Sequence, residues 1–260
     1  MPLIDKHPNG SFCWMELGTT DQNAAKNFYQ SLFGWTSMDF PMGPSGMYTI
    51  FRLQDRDCAA AYTLMKEMLD AGVPPHWMVY LSTDNVDEST RKVEQLGGKV
   101  IKEPFDVGPQ GRMSVATDPA GAHFCLWQEK QSPGIGIAGE NNAFCWADLN
   151  VKNRDVARRF YEGLFGWQFV PGEGKDESTY LHIVNQGHGI GGTPPPELIP
   201  PGLPPHWMIY YQVADCDAAS AKAAELGGRI LVPPTPIPGT GKFSIVDDPQ
   251  GAGFALFQLR

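Results

Sequence analysis

Two carboxylates and two histidines, set among aromatic residues, recur at matched places along this 260-residue chain. Glu16 lies two residues after Trp14, and Asp148 lies two residues after Trp146. A carboxylate among aromatic groups is poorly hydrated, so its protonated form is favoured. That suits a general acid or base, or an anchor for a polar ligand atom. The plainer alternative is a carboxylate satisfied by backbone amides at a strand end. His76 and His206 each follow a Pro-Pro pair. An imidazole there could exchange protons near neutral pH or donate to a ligand, or simply fix the start of a strand. Glu16, His76, Asp148 and His206 are therefore the candidate catalytic groups.

The elements that must position them come in duplicate. Phe12-Cys13-Trp14 recurs as Phe144-Cys145-Trp146, and Leu32-Phe33-Gly34-Trp35 as Leu164-Phe165-Gly166-Trp167. Pro74-Pro75-His76-Trp77-Met78 recurs as Pro204-Pro205-His206-Trp207-Met208. Leu96-Gly97-Gly98 returns as Leu226-Gly227-Gly228, and Asp118-Pro119-Ala120-Gly121 as Asp248-Pro249-Gln250-Gly251. The order is kept throughout, so the chain is a tandem repeat. Residues 1–130 form the first module, 131–142 a Pro- and Gly-containing linker, and 143–260 the second module.

Each module is doubled again. Asp21 precedes a helical stretch ending at Gly34, and Asp84 precedes one ending at Gly97. Asp caps a helix N-terminus by accepting its free N–H groups, and Gly takes the left-handed turn at the far end. Strands are expected at 12–18, near 35–38, at 47–53 and at 58–64. After the second helix cap the pattern continues with strands at 77–83, 99–102, 112–117 and 123–128. The class is α+β, with four βαβββ units forming two eight-stranded modules. Phe28-Tyr29, Phe160-Tyr161, Trp77 and Trp207 read as core. The Pro-rich run from Thr193 to Pro205 reads as a connection.

A helix carrying Phe-Tyr and closing on Leu-Phe-Gly, followed by Asp-Pro-x-Gly before a last apolar strand, resembles the vicinal-oxygen-chelate superfamily. That superfamily contains the glyoxalases, bleomycin-resistance proteins and extradiol dioxygenases. The resemblance covers nearly the whole chain, twice. It implies a cupped sheet in each module that usually holds a divalent metal and a small ligand. Period-two alternation puts Phe12, Trp14 and Glu16 on the cup face of the first strand, with Phe144, Trp146 and Asp148 in the copy. The fifth strand adds His76, Met78 and Tyr80, and its copy His206, Met208 and Tyr210. The expected ligand-binding residues are thus Trp14, Glu16, His76, Met78, Tyr80, Trp146, Asp148, His206, Met208 and Tyr210.

The metal ligands implied by the resemblance are not where the family keeps them. Trp14, Met78, Cys125 and Ala60 or Ala61 stand at those positions, and Trp146, Met208, Ala255 and Gly191 in the copy. Such a set does not suit Zn²⁺, Mn²⁺ or Fe²⁺, which need His, carboxylate or thiolate donors. The expectation is therefore no metal and no other cofactor. A displaced divalent-metal site on Glu16, His76 and His123 is the alternative. The cup reads as a binder of a small aromatic or apolar molecule, like a bleomycin-resistance protein. A glyoxalase-like lyase or isomerase, or a dioxygenase, is the alternative. The last strand's His123, Cys125 and Trp127 become Gly253, Ala255 and Phe257, which predicts a roomier second cup.

Bulk properties exclude other classes. A net charge of −9 and the lack of Lys/Arg runs speak against nucleic acid. No apolar run approaches the roughly 18 residues a membrane span needs. Met1 to Gly10 lacks a signal core, and five cysteines without a CxxC pair suit a reducing compartment, so a cytoplasmic monomer or homodimer with a small-molecule partner is expected.

Overall fold

The computed structural model describes residues 4–43, 46–172, 175 and 178–260. The first module has β1 (Phe12–Thr19), α1 (Gln22–Phe33), β2 (Thr36–Pro41), β3 (Met47–Leu53) and β4 (Arg56–Thr63). A short α2 (Lys66–Asp70) leads to β5 (His76–Ser82), α3 (Val86–Gln95), β6 (Lys99–Val107), β7 (Gly111–Thr117) and β8 (His123–Glu129). The second module repeats this with β9 (Phe144–Asn150), α4 (Arg154–Phe165), β10 (Gln168–Pro171), β11 (Leu181–Asn185) and β12 (His188–Thr193). It closes with β13 (His206–Gln212), α5 (Cys216–Glu225), β14 (Arg229–Ile237), β15 (Gly241–Asp247) and β16 (Gly253–Leu259). Each module is one eight-stranded sheet, in the order β2-β3-β4-β1-β5-β8-β7-β6 and its copy β10-β11-β12-β9-β13-β16-β15-β14. This is the predicted α+β class with four βαβββ units. No described helix is long and apolar enough to cross a membrane.

Helix boundaries follow their caps. Asp21 accepts the Ala24 N–H at 2.9 Å, and Gly34 takes φ +71° at the other end of α1. The cap of α3 is Asn85 and not Asp84: its side chain accepts the Glu88 N–H at 3.0 Å. Both residue types accept such bonds well, so the cap identity depends on a one-residue register that spacing alone does not resolve.

The two sheets pack back to back, and the helices lock them together reciprocally. The buried Tyr29 of α1 donates its hydroxyl to Asp248 of the second module at 3.0 Å and accepts Trp77 Nε1 at 3.0 Å. Its copy Tyr161 accepts Trp207 Nε1 at 3.2 Å and faces Asp118. Trp35 Nε1 donates to the Asn142 carbonyl at 2.7 Å, and Trp167 Nε1 to the Gly10 carbonyl at 3.0 Å. The Phe-Tyr pairs and Trp77 and Trp207 are core, as expected, but the core they build lies between the modules. Phe28 and Tyr29 pack edge-on against Phe254, while Phe160 packs against Phe124. The cups consequently open on opposite sides of the molecule.

The linker region is packed against the first module. Ile135 and Ile137 are buried, and the Ile135 N–H bonds the Cys13 carbonyl at 2.8 Å. The Pro-rich run is a connection held by Lys152, whose Nζ donates to the Pro196 and Ile199 carbonyls.

Candidate functional site

The site is built on the central strands of each sheet, with one tyrosine reaching in from β3 in the first module and from just before β11 in the second. In the first cup, β1 sits between β4 and β5, which places Glu16 beside Ala60 and Met78. Glu16 Oε2 accepts the Tyr48 hydroxyl at 2.7 Å, and Oε1 accepts the Tyr80 hydroxyl at 2.8 Å. Trp14 Nε1 donates to the Tyr48 hydroxyl oxygen at 2.9 Å. In the second cup Asp148 stands beside Gly192 and Met208. Its Oδ2 accepts Tyr210 at 2.8 Å, and its Oδ1 accepts Tyr180 at 2.5 Å and Trp146 Nε1 at 3.1 Å. Trp146 Nε1 also reaches the Tyr180 oxygen at 2.7 Å. Each cup therefore holds one carboxylate gripped by two tyrosine hydroxyls and backed by a tryptophan.

Burial pushes the Glu16 carboxyl above the ordinary Glu range, and the Tyr48 and Tyr80 hydroxyls pull partly back by solvating the anion. Asp148 is raised by burial too, against hydrogen bonds from Tyr180, Tyr210 and Trp146 and the nearby charge of His182. The four tyrosines are themselves held neutral by burial and the adjacent carboxylate. A protonated carboxyl here could give a proton and an ionised one could take it. The phenols stay donors in either state.

Of the residues expected from sequence, Trp14, Glu16, Met78 and Tyr80 come together in one cup, and Trp146, Asp148, Met208 and Tyr210 in the other. His76 and His206 lie at the start of β5 and β13, and their Nδ1 atoms are engaged with the Pro74 and Pro204 carbonyls at 2.8 and 2.9 Å. Burial lowers the His206 pKa, against the bond to the Pro204 carbonyl, which raises it. Phe12 and Phe144 are corrected. A bulge between Phe12 and Trp14 pairs Phe12 with Leu81 and turns it to the back of the sheet, against Phe144 and Trp207. The same irregularity pairs Phe144 with Tyr211. A bulge breaks strict alternation, which the sequence reading assumed.

Tyr48 and Tyr180 were missed. They stand 132 residues apart, the same offset as Trp14 and Trp146, so the repeat carried the signal. Gly192 was missed as well. The mid-strand position facing the cup is Gly192, whereas Gly191 faces the back of the sheet, its absent Cβ directed at the Ala147 carbonyl and Phe12. A Cβ on Gly192 would fall 2.0 Å from the Tyr180 oxygen, so glycine is what lets that tyrosine reach Asp148.

The side chains present do not fit a divalent metal. Trp14, Met78, Ala60 and Cys125 stand at the expected ligand positions, and burial holds the Cys125 thiol well above its ordinary range. The displaced set of Glu16, His76 and His123 is not assembled either. His123 is exposed at the start of β8, and among the described residues no three His, Cys, Asp or Glu side chains converge. A two-residue step along a strand carries a side chain about 6–7 Å, too far for three such shifts to close on one point. The five cysteines are free thiols.

The Glyoxalase/Bleomycin resistance protein/Dioxygenase superfamily profile matches this chain at residues 12–126 and again at 143–256. CFP32 of Mycobacterium tuberculosis, which carries a provisional glyoxylase name, is 38% identical over 259 residues, spanning 99% of this chain and 98% of its own. The anthracycline biosynthesis protein DnrV of Streptomyces peucetius is 33% identical over 268 residues, covering 96% of this chain and 94% of its own. Among solved structures, the Mn(II)-bound glyoxalase of Novosphingobium aromaticivorans superposes with a TM-score of 0.66 at 17% identity, over 96% of this chain and 82% of that one. The 2,3-dioxygenase LapB of Pseudomonas sp. KL28 also gives 0.66, at 13% identity over 96% and 93%. At such identities these last two likenesses concern the fold.

Proposed function

The chain belongs to the glyoxalase/bleomycin resistance/dioxygenase superfamily, and from that membership we propose that it binds a small, flat aromatic or apolar molecule without using a divalent metal. The observation that carries this reading is the repeated carboxylate–tyrosine–tyrosine–tryptophan group. It stands in the middle of each cup, on the strands where a metal-using relative would present its donors. A carboxylate with both oxygens already accepting phenolic hydrogen bonds is a poor first ligand for an ion. Around it Trp, Met and Tyr offer ring faces and polarisable sulfur, the surfaces that bury flat molecules. The phenol and indole groups can turn to a ligand's polar atom. The name of the Streptomyces peucetius relative points the same way, since anthracyclines are fused-ring compounds.

Intrinsic tryptophan fluorescence and titration calorimetry against a panel of fused-ring phenols and quinones test this. Saturable binding that survives exhaustive dialysis against a chelator is the expected result. Binding that requires added Mn²⁺, Fe²⁺, Ni²⁺ or Zn²⁺ overturns the metal-free part, and no binding across the panel overturns the whole. A second reading, a glyoxalase-like lyase or isomerase or a dioxygenase, is favoured by one observation. Burial raises the pKa of Glu16 and Asp148, which is how a carboxyl is tuned for proton transfer near neutral pH. Turnover of a bound compound that is lost in Glu16→Gln or Asp148→Asn would establish it.

A further inference from the structure

The two cups carry the same polar group but not the same access. In the first, Trp14, Tyr80, Met113 and Trp127 are all buried. Their counterparts Trp146, Tyr210, Phe243 and Phe257 all keep exposed surface. The carboxylates show the reverse: Glu16 retains some surface, while Asp148 lies covered at 6% exposure. The first cup thus buries these side chains, and the second leaves theirs half-buried.

One side chain of the first cup is held in a way its counterpart cannot copy. Trp127 on β8 lies over Gly111, where a Cβ would fall 2.3 Å from its ring. It packs edge-on against Tyr80 at 6.3 Å, and its Nε1 donates to the Ser132 carbonyl of the linker at 3.0 Å. That bond latches the indole across the aromatic wall. The counterpart Phe257 has no N–H and cannot form it. Next to it Cys125 becomes Ala255 and His123 becomes Gly253, which removes further atoms from the second cup.

The second cup also has a polar group that the first lacks. His182 on β11 is exposed, with its ring edge-on to Tyr180 at 5.2 Å and to Trp146 at 6.1 Å. The residue 132 positions earlier is Ile50. His182 therefore stands at the lip of the accessible aromatic wall, within the field of Asp148.

We infer that the aromatic ligand occupies the second cup alone, that Trp127 keeps the first shut, and that His182 selects a planar ligand bearing a hydroxyl. This rests on the binding function proposed above. A ring lying on Trp146, Tyr210 and Phe257 brings a peripheral hydroxyl to the imidazole, which can donate to it or accept from it.

The test uses the full chain with 2-naphthol and its methyl ether as probes. Calorimetry should give one equivalent of 2-naphthol per chain. In ¹⁵N-indole NMR spectra the Trp146 resonance, identified by its loss in Trp146→Phe, should move, and the Trp14 and Trp127 resonances should stay. His182→Ile, which copies the first module, should weaken 2-naphthol about tenfold, the worth of one good hydrogen bond, and leave the ether unchanged. Trp127→Ala should raise the stoichiometry to two. Two equivalents in the wild type, or shifts at Trp14, would overturn the inference while leaving the binding function standing. Equal weakening of both probes by His182→Ile would overturn the role of the imidazole. No binding of either probe by the wild type would overturn the binding function and this inference together. The wild-type stoichiometry and spectrum decide the matter even where Trp127→Ala does not fold.

Discussion

Replacing Tyr210 with phenylalanine deletes one hydroxyl from the second cup and keeps the ring. That hydroxyl donates to Asp148 Oδ2 at 2.8 Å, while Oδ1 keeps Trp146 and Tyr180. A hydrogen bond to an ionised group contributes roughly 1.5–3 kcal/mol. The loss falls on the anion, so Asp148 in the variant titrates higher than in the wild type. The sign of the stability effect follows. Burial already raises Asp148 above its unfolded value. Such a group contributes stability that is fully present below the unfolded pKa, about 3.9, and lost as pH rises through the folded pKa. Tyr210→Phe moves the end of that window upward, so the loss becomes larger. Above the folded pKa the variant should be less stable than wild type by roughly 1.5–3 kcal/mol, and at about pH 4 by little. Urea unfolding at the two pH values measures the difference, and ¹³C shifts of the Asp148 carboxyl follow its titration. A destabilisation that is the same at both pH values, with an unmoved carboxyl titration, would refute the assignment of Tyr210 as the anion's donor.

Two further outcomes are expected. Tyr29→Phe leaves both Trp77 Nε1 and Asp248 Oδ2 without their partner inside the intermodule core, and orphaned buried groups cost about 1–3 kcal/mol each; chemical unfolding should show a loss of about 2–6 kcal/mol, and a loss below about 1 kcal/mol would mean that water replaces the hydroxyl. Asp118, buried with Oδ2 unpaired and its pKa pushed up by burial to about 6, should withdraw about 3 kcal/mol of stability as pH rises from about 4 through 6; Asp118→Asn keeps an oxygen for the Ala120 and Ala122 N–H groups, so its stability measured across that range should lack this decline.

Much of the architecture was legible because it rests on local chemistry repeated in order. Asp21 and Gly34 mark helix ends through backbone geometry that few other residues satisfy. The doubled landmarks then fixed which strands correspond. The candidate site was half legible. Trp14, Glu16, Met78 and Tyr80 were reached by alternation along strands read correctly. Tyr48 was not, because it lies on β3 and is brought to Glu16, 32 residues away, by the pairing of β3 with β4 and of β4 with β1, which period-two counting within a single strand does not address. Phe12 was placed on the wrong face because a bulge inserts one residue without a sequence signature. His182 escaped notice for a different reason: Ile50 stands at its place in the other copy, and attention to what the copies share passes over what distinguishes them.

The reciprocal docking of Tyr29 on Asp248 joins residues 219 apart in the chain. During synthesis the aromatic face of α1 is made long before β13 and β16, the strands that cover it. Until those strands emerge, the N-terminal half holds Phe28, Tyr29, Phe33 and Trp35 with no partner for their outer faces, and long-range closures of this kind are slow. The half-made chain is therefore a different object from the finished one: an adhesive intermediate whose solubility depends on how quickly the ribosome delivers the last fifty residues or on a chaperone that holds the aromatic face meanwhile.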